Sequence, residues 1–211
     1  MNSMTYKKFL IGISRFLSTA LHPLLASTYT TLLVLWVSVL CAQDAGVRIM
    51  VLVVVCCTTC LIPLMFIGAL HHFGIVRDKQ LATREERRLP YVVTLLCVLC
   101  AVAFLHHNHA PLWFLMAAVG LATACLLLAI INLWWKVSAH SAGIAAQVAV
   151  LVQLHVQGLS AFNLLYLICF TVLLTGLIGT ARMVLKRDTL WQVLVGAAIG
   201  YTTVAVAMYY S

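Results

Sequence analysis

Charge is what this sequence has least of. Asp and Glu together number 5 in 211 residues, and all charged residues make up 9% of the chain. A soluble domain carries roughly 25%. With 64% hydrophobic residues, the chain has too little polar side chain to cover a globule in water, which excludes a soluble fold. Long polar stretches are missing too. The longest, residues 73–90, is about 18 residues, which leaves no room for a second, soluble domain. No period of 20–50 residues recurs, so a repeat array is excluded. A cleavable signal peptide is not expected either: Lys7, Lys8 and Arg15 interrupt the N-terminal apolar pattern, and no small-residue cleavage site precedes the first long apolar run.

What remains is hydrocarbon-compatible sequence, with a mean hydropathy of +1.08. In lipid each span needs about 20 apolar residues and must satisfy its own backbone as helix. The expected fold is therefore all-α, a polytopic transmembrane helix bundle. About seven spans are read, at 24–42, 48–70, 90–105, 112–135, 139–157, 160–181 and 191–210. Ahead of them, residues 1–21 place Tyr6, Phe9, Leu10, Ile13 and Phe16 on roughly one helical face, with Lys7, Lys8 and Arg15 elsewhere. That pattern predicts an amphipathic segment lying on the membrane surface. Residues 22–211 form a single transmembrane domain.

Lys and Arg are distributed unevenly between the two sides. Seven spans put Lys7, Lys8, Arg15, Arg77, Lys79, Arg84, Arg87, Arg88, Lys136, Arg182, Lys186 and Arg187 on one side, and Arg48 alone on the other. Cytoplasmic loops carry the excess of Lys and Arg, so the basic side is expected to be cytoplasmic and the C-terminus outside. The formal charge of +8 sits between spans. Its expected partners are anionic or phosphorylated lipid, not nucleic acid. A membrane-protein partner is left open.

Eight cysteines are present, and all but Cys41 lie deep in apolar segments. Cys57-x2-Cys60 and Cys97-x2-Cys100 have redox or zinc spacing. They lack His or carboxylate neighbours, however, and buried free Cys behaves as a small hydrophobe. Neither a disulfide framework nor a metal site is expected. His106, His107 and His109 fall in a turn on the opposite face, read as a polar turn. Asn132, Gln147, Gln153, His155 and Asn163 are expected to face the bundle interior and pair across helices.

Three polar clusters share the basic face. Arg84-Glu85-Glu86-Arg87-Arg88-Leu89-Pro90 enters the third span. Lys136-Val137-Ser138-Ala139-His140-Ser141-Ala142-Gly143 turns the fourth span into the fifth. Ala181-Arg182, followed by Lys186-Arg187-Asp188-Thr189, enters the seventh. Arg offers a planar fork matched to phosphate oxygens. Ser138 adds a hydroxyl, a helix start presents free N–H groups to an anion, and His140 exchanges a proton near neutral pH. Together they read as a phosphate site at the bilayer surface in which side chains supply the cations and no metal or other cofactor is needed.

The order of these clusters resembles the type-2 phosphatidic acid phosphatase superfamily, which includes the vanadium haloperoxidases. That family carries a Lys/Arg-rich stretch ending in Arg-Pro, a Pro-Ser-Gly-His stretch, and Ser-Arg-x5-His-x3-Asp. Here Arg87-Arg88-Leu89-Pro90 resembles the first. Val137-Ser138-Ala139-His140 resembles the second. Ala181-Arg182-x5-Asp188-x3-Gln192 stands at the third, followed by Gly196 and Gly200. The resemblance covers roughly residues 75–205 and looks most like small bacterial members of Bacteroidetes type.

The resemblance implies a membrane-embedded lipid phosphate phosphatase of a bacterial inner membrane. Arg87, Ser138 and Arg182 would bind phosphate, Arg84 and Lys136 would add contacts, and His140 would be the general acid. The chain departs from the pattern where the family's nucleophilic His falls at Asp188 and its orienting Asp at Gln192. Asp188 could attack phosphorus itself, since aspartyl-phosphate intermediates exist. It could instead hold an Arg of the site. The alternative function is a catalytically inactive relative that binds anionic lipid or serves as a subunit of a larger membrane assembly.

Overall fold

A computed structural model describes residues 3–74 and 88–211. The chain is 83% helical, and no strand occurs among the described residues. Eight helices follow one another. They are α1 (Ser3–Ala20), α2 (Pro23–Val37), α3 (Ala45–His72), α4 (Arg88–His107), α5 (Leu112–Ile131), α6 (Ala139–Val156), α7 (Leu165–Val184) and α8 (Leu190–Tyr209).

The six helices from α3 to α8 are each long and apolar enough to cross a membrane, and α1 and α2 together make a seventh candidate bent by 60°. The protein is a multi-pass membrane protein with an all-α fold. The first expected span, 24–42, is shorter than the sequence suggests. Regular helix stops at Val37, and Val39–Ala42 tighten into a 3-10 turn. The cause is Ser38. It is fully buried and spends its hydroxyl on Leu40 N–H at 3.1 Å. Next to it, Val39 N–H donates to Leu159 O at 2.9 Å and Ala161 N–H to Val37 O at 2.8 Å. Backbone that would have continued the helix instead clips α2 to the α6–α7 loop. The sixth span likewise starts late, at Leu165, after residues 159–161 are taken up in this contact.

α3 is continuous but not uniform. Cys57–Leu61 form a π turn, in which Ile62 N–H reaches back to Cys57 O. Pro63 follows directly. It has no N–H for the carbonyl four residues back, and its ring crowds that carbonyl, so the helix widens to accommodate it. Thr59, inside the widened turn, meets Ser27 of α2 at 2.6 Å between hydroxyls.

The centre of the bundle is α6, with 56% of its span buried against 22–33% for the other crossing helices. Its sequence explains this. Ala142, Ala145, Ala146 and Ala149 are all buried, and small side chains let neighbouring backbones come close. α8 matches it with Gly196 and Gly200, where an added Cβ would strike the backbone of Ser138 and of Ala142. α5 adds Gly120, where a Cβ would stand 2.7 Å from the Val204 Cα.

Exposed aromatics mark both ends of the bundle. Trp134, Trp135 and Trp191 lie at the end that carries Lys136 and Lys186. Trp36, Phe162, Tyr166, Tyr209 and Tyr210 lie at the other. Such belts sit at the head-group level of a bilayer. Near the second belt, Arg48 stacks over the Trp36 ring at 5.1 Å. All eight cysteines are free thiols. His106 and His107, expected in a turn, instead end α4, and only His109 lies in the turn, in a left-handed conformation (φ 52°); all three are exposed. Two polar residues depart from expectation. His155 and Asn163 are exposed, Asn163 bonding the Leu165 N–H. Gln153 does cross to α8, donating to Ala205 O at 3.1 Å, and Asn132 and Gln147 are buried.

Candidate functional site

The site is built where α7 turns into α8. α7 ends with Lys186 in a left-handed conformation (φ 53°), and Arg187 N–H closes the turn on Arg182 O at 3.0 Å. A six-to-one closure of this kind doubles the chain back on the last helical turn. Asp188 is thereby delivered beside Arg182, six residues earlier. Its carboxylate Oδ2 accepts from Arg182 Nε at 2.8 Å and from Ser138 Oγ at 3.0 Å. Lys136 Nζ lies 3.2 Å from Oδ1 and also donates to the Arg187 carbonyl. Arg182 is 1% exposed and Asp188 6%.

The α5–α6 turn carries Lys136 and Ser138 to this point. Ser138 N–H donates to Gln192 O at 3.1 Å, which ties the turn to the start of α8. As the residue before α6, Ser138 is placed to cap the helix, yet its side chain makes no cap bond. The hydroxyl goes to Asp188 instead and accepts from Ser141 Oγ at 3.2 Å.

The far side of Arg182 is closed by α1. Arg182 Nη1 donates to Ser18 Oγ at 3.1 Å. The same residue partners His140, whose Nε2 stands 3.1 Å from Ser18 O and 3.4 Å from Ser18 Oγ. Since a carbonyl oxygen only accepts, Nε2 carries the proton. His22, between α1 and α2, packs edge-on against His140 with ring centres 5.6 Å apart.

Of the residues singled out in sequence, the structure brings Lys136, Ser138, Arg182 and Asp188 into one buried cluster. His140 adjoins it through Ser18 and makes no hydrogen bond with Asp188 or Arg182. Arg84 and Arg87 lie outside the described residues. The Gln192 side chain is spent outside the site, and only its backbone carbonyl meets Ser138. With Thr189 it forms a capping box at the start of α8, Thr189 N–H donating to its Oε1 at 2.9 Å. The residues that sequence reasoning missed are Ser18, Ser141 and His22. A signal existed for the first. Ser14 and Ser18 recur at helical spacing and are both buried, while Phe9, Ile13 and Phe16 on the apolar face of α1 are exposed. The face of α1 packed on the bundle therefore carries Ser14 and Ser18 together with Leu17, which meets Ile144, Ile178 and Ala181.

Chemically, the charges of the cluster are paired with one another. Arg182 and Lys136 are the two cations a phosphate would need, and Asp188 occupies the position between them. Among the described residues, no three His, Cys, Asp or Glu side chains gather as metal ligands. Comparison with protein-family models, with curated proteins and with solved structures gives no match.

Proposed function

We propose that this chain is a non-hydrolytic, membrane-embedded relative of the lipid phosphate phosphatases, and that it acts by binding lipid. The observation that carries the proposal is the Asp188 carboxylate, held by Arg182 Nε at 2.8 Å and Ser138 Oγ at 3.0 Å with Lys136 Nζ at 3.2 Å. A fixed carboxylate among these groups takes up the donors that would hold a phosphate and repels an arriving anion. The position at which the resembled family has its nucleophilic His is thus given to an internal ion pair. His140, the counterpart of its general acid, is engaged by Ser18. The basic residues that remain exposed, among them Arg15, Lys186 and Arg88, suit an anionic leaflet. By the charge rule that leaflet is cytoplasmic, and by the resemblance the membrane is a bacterial inner membrane.

The test is phosphate release by the purified protein in detergent, with phosphatidate, phosphatidylglycerophosphate and polyprenyl phosphates as substrates. Wild type is expected to release none above the His140→Ala control. Release that vanishes in His140→Ala would overturn the proposal in favour of an active phosphatase.

A further inference from the structure

Beside the ion-pair cluster, and separate from it, a cavity of about 120 Å³ opens among α2, α3, α4, α5 and α6. One water needs only ~10–15 Å³, so the space takes a larger guest. Its walls are apolar, with Leu24, Ile67, Leu121 and Leu128 among them. Leu121 and Gly143 also line a second cavity of about 60 Å³ deeper in the bundle, between Val98, Leu105 and Phe114. The two share a wall, and together they run from the basic end toward the middle of the membrane.

Its polar lining includes Tyr91 and Thr94 of α4 and, side by side, the imidazoles of His22 and His140. Their protein hydrogen bonds fix what each has left. His22 Nδ1 accepts from Leu24 N–H at 3.3 Å, so its proton sits on Nε2, which remains a donor. His140 gives its Nε2–H to Ser18 O, so Nδ1 remains an acceptor. The rings lie 5.6 Å apart between centres, and both residues line the cavity. A group that needs one acceptor and one donor side by side is a hydroxyl. A carboxylate or a fully ionised phosphate offers no proton to Nδ1, and no Arg or Lys among the described residues lines the cavity.

We propose that this cavity binds a neutral long-chain alcohol, its hydroxyl between His22 and His140 and its hydrocarbon chain directed along Leu121 toward Val98. The proposal rests on the reading of the chain as a lipid binder and names the class of lipid.

The experiment is photo-crosslinking of the purified protein in detergent with a long-chain alcohol carrying a diazirine in its tail, and with the phosphate ester of the same alcohol. The alcohol is expected to label peptides containing Thr94 and Leu121, and unlabelled alcohol should compete. Thr94→Trp, which fills the cavity away from the imidazoles, should cut labelling by about tenfold or more. The His22→Phe/His140→Phe pair should do the same while keeping aromatic volume. Equal labelling by the phosphate ester, labelling spread over outward-facing Leu173 and Leu177, or labelling unchanged in Thr94→Trp would each overturn the proposal. Phosphate release together with alcohol labelling at Thr94 would sink the non-hydrolytic reading and leave this site standing.

Discussion

Arg182 and Asp188 form an ion pair at 2.8 Å inside the bundle, with their side chains 1% and 0% exposed. Five residues of a tight helix-to-helix turn lie between them, so the pair forms locally, and Ser138, Lys136 and Ser18 close over it. Removing one partner of such a pair leaves a buried charge unmatched, at a cost of about 3–5 kcal/mol. Asp188→Ala is therefore expected to lower the unfolding midpoint in detergent far more than an average surface change. If the carboxylate stands where an anion fits, inorganic phosphate should restore part of that loss in Asp188→Ala and leave wild type unmoved. At ten times its dissociation constant the ligand contributes about 1.4 kcal/mol. A variant that phosphate fails to stabilise would show that this cluster is a structural latch with no room for an anion.

The contact between α6 and α8 brings backbone against glycine, whereas Gly179 of α7 faces only the Val193 side chain. A Cβ on Gly200 would meet the carbonyl group and Cα of Ala142. Backbone cannot rotate aside, so the two helices would have to separate. Gly200→Ala is expected to destabilise by roughly 1–3 kcal/mol, the range for overpacking. Gly176, on α7, has nothing within 4 Å of its would-be Cβ. Gly176→Ala should be neutral or slightly stabilising, since Ala is the better helix former by about 1 kcal/mol. Equal midpoints for the two variants in detergent would contradict the close approach.

How far these features were legible in sequence follows from their range. The helices and their number came from long apolar runs, which lipid leaves few ways to satisfy. The meeting of Lys136, Ser138, Arg182 and Asp188 was foreseeable because each sits at a helix end on one face. What could not be read was direction. Asp188 faces inward because Lys186 adopts a left-handed turn (φ 53°), and no glycine marks that position. α1 was read by its apolar face, as water-soluble helices are. In lipid that face is free to point outward, and Ser14 and Ser18 pack inward instead. The break at Ser38 was hidden too, since its cause is a contact with residues 159–161, far along the chain.

Gln192 offers a direct test of a structural role against a catalytic one. Thr189 Oγ1 accepts from Gln192 N–H at 3.4 Å while Gln192 Oε1 accepts from Thr189 N–H at 2.9 Å. Thr189→Ala should cost about 1 kcal/mol, as lost caps do. Because the two bonds belong to one box, the double variant with Gln192→Ala should cost less than the sum of the singles. Additive losses would mean that Gln192 has another task.

The direction of insertion can be tested at Ser211. α8 is long and apolar enough to cross the membrane between the basic α7–α8 turn and Ser211, which sets the two on opposite sides. A reporter active only in the cytoplasm, fused after Ser211, should stay silent, and one active only outside should report. The reverse result would place the basic face outside.

Ser18 of α1 touches both halves of the site. Its hydroxyl accepts from Arg182 Nη1 at 3.1 Å, and its carbonyl holds His140 Nε2 at 3.1 Å. Ser18→Ala removes the first bond and keeps the second. The expected loss is about 1–3 kcal/mol, the cost of leaving a buried donor on a charged group unmet. The same loss should vanish when Arg182 is already Leu, because the hydroxyl then has no cation to receive. A double-mutant cycle on the detergent unfolding midpoint measures this. If Ser18→Ala costs as much in Arg182→Leu as in wild type, α1 is held by its packing alone and does not cover the ion pair.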